Sequence, residues 1–490
     1  MAAALAIAPA TAQRGSDAPA ASEQRGAQAG ILSLLPADAV TEHVVDAGGQ
    51  KIAYSAKAGT LSLFDQNGER SAAIFYTAYN VKGAAEQSRP VTFVFNGGPG
   101  AASAYLHLGL VGPQVLDFGT KPDGAAARLR ANPDTWLKFT DLVLIDPVGT
   151  GWSRAAKGDG GGSFWGVRQD AQALAKAIAL YTAANGRANS PKYLLGESYG
   201  GFRAVKVARA LQQEQGIIVS GIVMVSPLLE GALQFGASRF ALGAALQLPS
   251  LAAAELDRRN RFTDDALAAA EHFAMNEYLV TLAGPPPQGE TARKFYSRVA
   301  EVSGLPLDVV TRTRGFIRDA YVKHSQGGDQ IVSSYDAAAA SPDPYPESDS
   351  AEGGDPILDG YLQALGGAFV AYAHDQLGFK CEMTYQLLNR EVSSRWEWGS
   401  GGRSLASITR DLRELLGLNP SLRVLVAHGR SDTVTPYAVS RYVIDHLPPI
   451  GGDGRTRLKV YQGGHMFYFI PEARMAFAAE ARALYGRAGE

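Results

Sequence analysis

One cysteine, Cys381, in 490 residues excludes an intrachain disulfide and any zinc site built from several cysteines. A run of 18 consecutive apolar residues is also missing, so no membrane-spanning helix is expected. Nor does charge of either sign dominate: 46 Lys plus Arg against 48 Asp plus Glu give a net charge of −2. That balance produces no field favouring nucleic acid or an anionic membrane. Charged residues are 19% of the chain, below the usual ~25%, while apolar residues reach 46%, enough for a sizeable core and against a disordered polyampholyte. Internal repeats are absent. Glycine is plentiful at 55 residues, marking places where the backbone turns sharply or approaches another segment closely. A prior of roughly 100–200 residues per domain suits three domains, or one α/β core carrying a large insertion.

The opening Met1-Ala-Ala-Ala-Leu-Ala-Ile-Ala-Pro-Ala-Thr-Ala-Gln13 reads as the end of a secretory signal, with Ala10-Thr11-Ala12 as a small-residue cleavage site and without the Lys/Arg start of a full one. The expected location is therefore periplasmic or secreted, with residues 1–30 as signal remnant and flexible linker. From Val44 to Asn80, short alternating runs with turn punctuation predict antiparallel strands. The pattern then changes. Pro90–Phe95, Asp141–Asp146, Tyr193–Leu195, Gly221–Val225, Leu422–Ala427 and Leu458–Tyr461 are continuous apolar runs, the mark of strands buried on both faces of a parallel sheet. Helical stretches at Asp170–Ala184, Phe202–Gln215 and Tyr437–Leu447 alternate with them, so a mostly parallel α/β sheet is expected. Between Gly236 and Leu405 the buried-strand signal gives way to helical stretches, several Ala-rich, and to polar loops. Ser341–Ser350, with three prolines, is expected to be irregular. The expected organisation is a core of 31–235 and 406–490 interrupted by a helical cap at 236–405.

Gly196-Glu-Ser-Tyr-Gly200 is the only Gly-x-Ser-x-Gly in the chain. It follows an apolar run and precedes a helical stretch, as a nucleophile elbow requires. A serine hydroxyl needs a base, and the base an orienting acid. In the α/β-hydrolase order of Ser, acid, His, the eligible histidines are His446, inside a helical stretch, and His465, after a strand and Gly463-Gly464. His465 is the expected base. Asp432, at the end of the preceding strand, is the expected acid, with an Asx turn ahead of Pro436 as its structural alternative; His428 is expected to be structural. The expected triad is Ser198, Asp432 and His465. Acyl transfer also needs two N–H donors for the oxyanion. Tyr199 supplies one and Gly98, in Asn96-Gly-Gly-Pro-Gly100, the other. No cofactor or metal is expected.

These segments, with Asn132-Pro-Asp-Thr-Trp136, Asp146-Pro-Val-Gly-Thr-Gly-Trp-Ser153, Gly429-Arg-Ser-Asp432 and Gly463-Gly-His-Met466, resemble the serine carboxypeptidase family of acid-active α/β-hydrolases. The resemblance implies an α/β-hydrolase fold with an inserted helical cap, peptide or protein C-termini as substrate, and Asn96, Gly97 and Glu197 holding the substrate's terminal carboxylate. A protonated Glu197 would donate to that carboxylate, favouring acidic pH. The chain departs from the family pattern twice: Ala101 stands where relatives carry a cysteine, and Leu110 where they carry a second carboxylate-binding glutamate. Either Glu197 and Asn96 suffice, or a cation such as Arg203 or Arg154 substitutes although a solvated salt bridge is the expected role of both, or the substrate lacks a free C-terminus. The last option makes an esterase or acyltransferase the alternative, and a non-catalytic binding protein on the same scaffold a second one.

Overall fold

The computed structural model describes residues 30–83, 88–120, 122–157, 162–452 and 454–486; the expected leader lies outside the described residues. Its centre is a ten-stranded sheet. β1 (Ala39–Ala47), β2 (Gln50–Phe64) and β3 (Arg70–Val81) form an antiparallel meander. β4 (Val91–Phe95), β5 (Asp141–Ile145), β6 (Lys192–Glu197), β7 (Gly221–Val225), β8 (Arg423–Gly429) and β9 (Thr456–Tyr461) are the parallel part. The order is β1-β2-β3-β5-β4-β6-β7-β8-β9, and the two-residue strand Arg154–Ala155 pairs off β3. Both expected strand types are present.

The continuous apolar runs are buried on both sides because successive side chains feed two different cores. Val94, Leu144, Leu195, Val225 and Leu425 face one, which α8 (Pro471–Gly486) covers with Phe477 and Leu484. Phe93, Val143, Leu194, Ile222 and Val424 face the other, against α1 (Val167–Ala184) and α2 (Tyr199–Glu214), which contribute Leu174, Ile178, Val205 and Leu211.

The chain between β7 and β8 has two characters. α3 (Ala241–Arg258), α4 (Asp264–Phe273) and α5 (Gly289–Ser303) share a core of their own with Tyr321 and Val332, built on Leu248, Phe273, Tyr278 and Phe295. The later segment, with α6 (Ala364–Asp375), places Leu365, Phe369, Tyr372 and Phe379 in the first sheet core beside Phe75 and Trp152. Isolated bridges from Gln386 to Gly151 and from Leu388 to Ala101 bind it to the sheet's loops. One correction falls here. Of Ser341–Ser350, Ser341 and Pro342 are not irregular: with Ala340 they pair antiparallel with Gln330–Val332, an edge position where a proline's missing N–H is tolerated, while the rest of the segment carries no helix or strand. No described helix is long and apolar enough to cross a membrane.

Candidate active site

Ser198 stands between β6 and α2 with φ 60° and ψ −125°, a left-handed conformation that a non-glycine residue holds only when its surroundings over-determine it. Its amide donates to Val225 O at 2.8 Å, and its carbonyl accepts from Gly201 and Leu228 at 3.0 and 3.1 Å. The turn also demands empty space around it. A Cβ on Gly200 would come within 2.6 Å of Phe95 O, and one on Gly97 within 2.5 Å of Tyr199 N. The Gly97-Gly98 loop therefore lies against the first turn of α2. Tyr199, the first helical residue, has an amide with no acceptor inside the helix.

Two loops at the ends of β8 and β9 converge on the same place. Asp432 is fully buried and receives four donors: Val434 N and Thr435 N on Oδ1 at 2.9 and 3.0 Å, Thr435 Oγ1 and His465 Nδ1 on Oδ2 at 2.6 and 2.8 Å. The Asx turn expected as an alternative is thus present, and it is what fixes the carboxylate toward His465. Burial alone would depress the imidazole's pKa, but the Asp432 charge and hydrogen bond outweigh it, with Glu197 adding to the effect, and the net direction is upward. Ser198 and His465 line one open cleft of about 700 Å³, together with Asn96, Gly97, Gly98, Glu197 and Tyr199.

Glu197 is 3% exposed. Asn96 Nδ2 and Tyr468 Oη donate to its Oε2, the latter at 2.9 Å. Burial pushes its pKa up to about 7; the His465 charge and the two donors oppose the rise, and the Asp432 charge adds to it slightly. Burial, rather than a second carboxyl, is the main cause. Leu110 is fully buried in the first sheet core and does not line the cleft. Of the two candidate cations, Arg203 is 1% exposed, donates to Asp170 Oδ2 at 2.7 Å and to the Asn96 carbonyl. Its ion pair is buried rather than solvated, and it braces the Asn96 loop from behind. Arg154 donates to the carbonyls of Gly151, Ser153 and Thr384 at 2.9, 2.9 and 2.8 Å, its charge spent on backbone rather than on a salt bridge among the described residues. His428 is buried, bonded to Ser440 at 2.8 Å and pushed down to about 4 by burial; His446 closes α7 (Tyr437–Asp445) against Tyr442 O at 2.7 Å.

Several cleft residues escape sequence reasoning. Tyr335 accepts the His465 amide on its carbonyl at 2.5 Å and sets its ring edge-on to the imidazole at 5.2 Å. Phe235, Trp398 and Arg403 form a further wall. Tyr468 lies three positions after His465, but nothing in the local pattern aims its hydroxyl at Glu197. Among the described residues no group of three or more His, Cys, Asp or Glu side chains forms a metal-binding cluster.

Taken together, the arrangement offers a serine, a buried Asp–His pair, unpaired amides and a carboxyl that is largely protonated below pH 7. The family model described as serine carboxypeptidase matches residues 50–238. Serine carboxypeptidase-like 44 of Arabidopsis thaliana is 40% identical over 68 residues, 14% of this chain and 13% of that protein. Serine carboxypeptidase-like 51 of the same plant is 36% identical over 124 residues, 24% of each. These matches span a quarter or less of either relative's length. Among solved structures, Kex1(Δ)p, a prohormone-processing carboxypeptidase from Saccharomyces cerevisiae, superposes with a TM-score of 0.57 over 88% of this chain and 91% of its own. At 14% identity that is a likeness of fold, and the fold is that of the α/β-hydrolases.

Proposed function

From a chain whose residues 50–238 carry it into the serine carboxypeptidase family, we propose a serine carboxypeptidase that removes C-terminal residues through an acyl-enzyme. Ser198 Oγ attacks the scissile carbonyl while His465 takes its proton, then returns it to the leaving amine; water repeats the cycle on the ester. Asp432 holds the imidazole in the tautomer that leaves Nε2 free to accept. The amides of Gly98 and Tyr199 receive the oxyanion, each worth on the order of 10²–10³ in rate.

The observation that carries this reading is Glu197 in the same cleft as Ser198. A carboxyl raised to about 7 and already held by Asn96 and Tyr468 is a donor to a carboxylate below that pH and repels one above it. Free C-terminal acids are therefore bound best on the acidic side. Gly97 and Asn96 complete that subsite. Export from the cytoplasm is part of the same reading and rests on the Met1–Gln13 pattern.

Leu110 favours a second reading, an esterase or acyltransferase acting on uncharged groups, because the cleft has one carboxyl where relatives bring two. A blocked dipeptide acid and its C-terminal amide, compared from pH 4 to 8, separate the two. The acid-over-amide ratio of kcat/KM is expected to fall as pH rises through about 7, with Glu197 losing its proton. A ratio near one at every pH overturns carboxylate recognition and leaves the esterase.

A further inference from the structure

The Asn96–Glu197–Tyr468 end of the cleft is closed by buried side chains. The other end is not. Phe235, Arg403 and Val434 line both this cleft and a second one of about 1160 Å³. For a peptide whose C-terminus sits on Glu197, this shared wall offers a direction in which to continue toward its N-terminus.

Arg403 guards that passage. Its guanidinium carbon lies 3.8 Å from the centroid of the Phe235 ring and 6.0 Å from that of Trp398. Stacking uses the face of a guanidinium and leaves its edge N–H groups for an anion. Among the described residues no carboxylate pairs with Arg403 and none pairs with Arg318, which lines the second cleft beside it. Partial enclosure of the guanidinium lowers the Arg403 pKa, Tyr335 opposes that, and Arg318 is near enough to add to the lowering. One carboxylate lines the second cleft, that of Asp319, and its Oδ1 already accepts from Ser238 Oγ at 2.6 Å. Two guanidinium groups facing one engaged carboxylate leave the passage short of negative charge.

We propose that Arg403, assisted by Arg318, recognises an acidic side chain on the acyl side of the scissile bond, so that peptides with Asp or Glu just before the residue removed are the preferred substrates. The proposal rests on the carboxypeptidase reading and names its substrate class. A charge-assisted, stacked pair in a half-enclosed cleft is strong enough for about a tenfold preference, and salt weakens it.

The test uses N-blocked peptide acids that differ only at the position before the scissile bond: Glu, Gln or Lys. The intact protein is expected to show kcat/KM about tenfold higher for Glu than for Gln, with Lys lowest. In R403Q the Glu-over-Gln ratio is expected to collapse toward one, in R318Q to fall partway, and in R403K to be partly restored. An unchanged ratio in both glutamine variants, or a preference for Lys, overturns the proposal. If no peptide is turned over, the carboxypeptidase reading fails on its own. The same three peptides, carrying a fluorophore and titrated into Ser198→Ala, then still report the charge preference by anisotropy, and equal affinities for Glu and Gln overturn it.

Discussion

The sheet's loop ends and the chain between β7 and β8 both face the cleft, but they hold their side chains on different terms. Ser198, Asp432 and His465 stand on turns anchored at strand ends, and Asp432, His465 and Glu197 are 0, 2 and 3% exposed. Backbone bonds from Val225, Gly429 and Tyr335 fix those turns. Across the cleft, Trp398 stands on an irregular segment and Arg403 opens a single exposed 3-10 turn. Groups that move protons need placement within fractions of an ångström. Walls that select a side chain need only shape and charge.

Substitutions on the two sides are therefore expected to differ in kind. The largest effect belongs to Ser198→Ala: kcat is expected to fall by on the order of 10⁴–10⁶, and labelling by a fluorophosphonate probe to vanish while circular dichroism stays native. Trp398→Ala, on the other side, should keep its labelling. A Trp398→Ala protein that folds but no longer labels would abolish the distinction. Asp432→Asn comes next, with a loss of about 10⁴ read in steady-state kinetics, because the amide no longer enforces the His465 tautomer; activity within tenfold of the parent would argue for a different acid.

Glu197→Gln sharpens the comparison through pH. A carboxyl with a folded pKa of about 7 against an ordinary 4.5 binds its proton more tightly in the folded state. Its stabilisation is complete below 4.5 and is lost as pH rises toward 7. The amplitude is about 3 kcal/mol at 1.36 kcal/mol per pKa unit. In Glu197→Gln, denaturant midpoints are expected to lose that decline, and free-acid turnover to lose its fall near pH 7, since an amide donates at any pH. Tyr468→Phe is the smallest. Removing a donor that stabilises the ionised Glu197 raises its pKa further, so the descending limb of the free-acid pH profile should move to higher pH, with little change at pH 5.

What was legible in the sequence follows the same division. Strands sandwiched between two cores must be apolar throughout, so β4 to β8 declared themselves. A strained elbow must be flanked by glycine, so Ser198 did too, and the fixed order of acid and base led to the Asp432–His465 contact. The wall residues carried no such constraint. Helical periodicity between Gly236 and Leu405 shows which faces are apolar, but not that α3 to α5 keep a core of their own while α6 joins the sheet's. Leu110 misled in a useful way: its position marks a missing carboxyl, yet the side chain belongs to the core. Arg203 looked like surface charge, and only the fold reveals that it is spent on Asp170 and the Asn96 carbonyl.

The stretch from Ser334 to Ala337 reaches from the helical region onto the turns that carry Asp432 and His465. Ser334 accepts from Thr433 N and Oγ1 at 3.2 and 2.8 Å, Tyr335 accepts from His465 N at 2.5 Å, Asp336 accepts from Ser431 Oγ at 2.6 Å, and Ala337 donates to Ser431 O at 3.0 Å. Exchanging this helical region for that of a relative to change selectivity would sever all of these at once and loosen His465, which it was meant to leave alone. A graft that ends before Ser333 and resumes after Ala337 keeps the Asp432 and His465 turns clamped, and marks where a chimera can be cut.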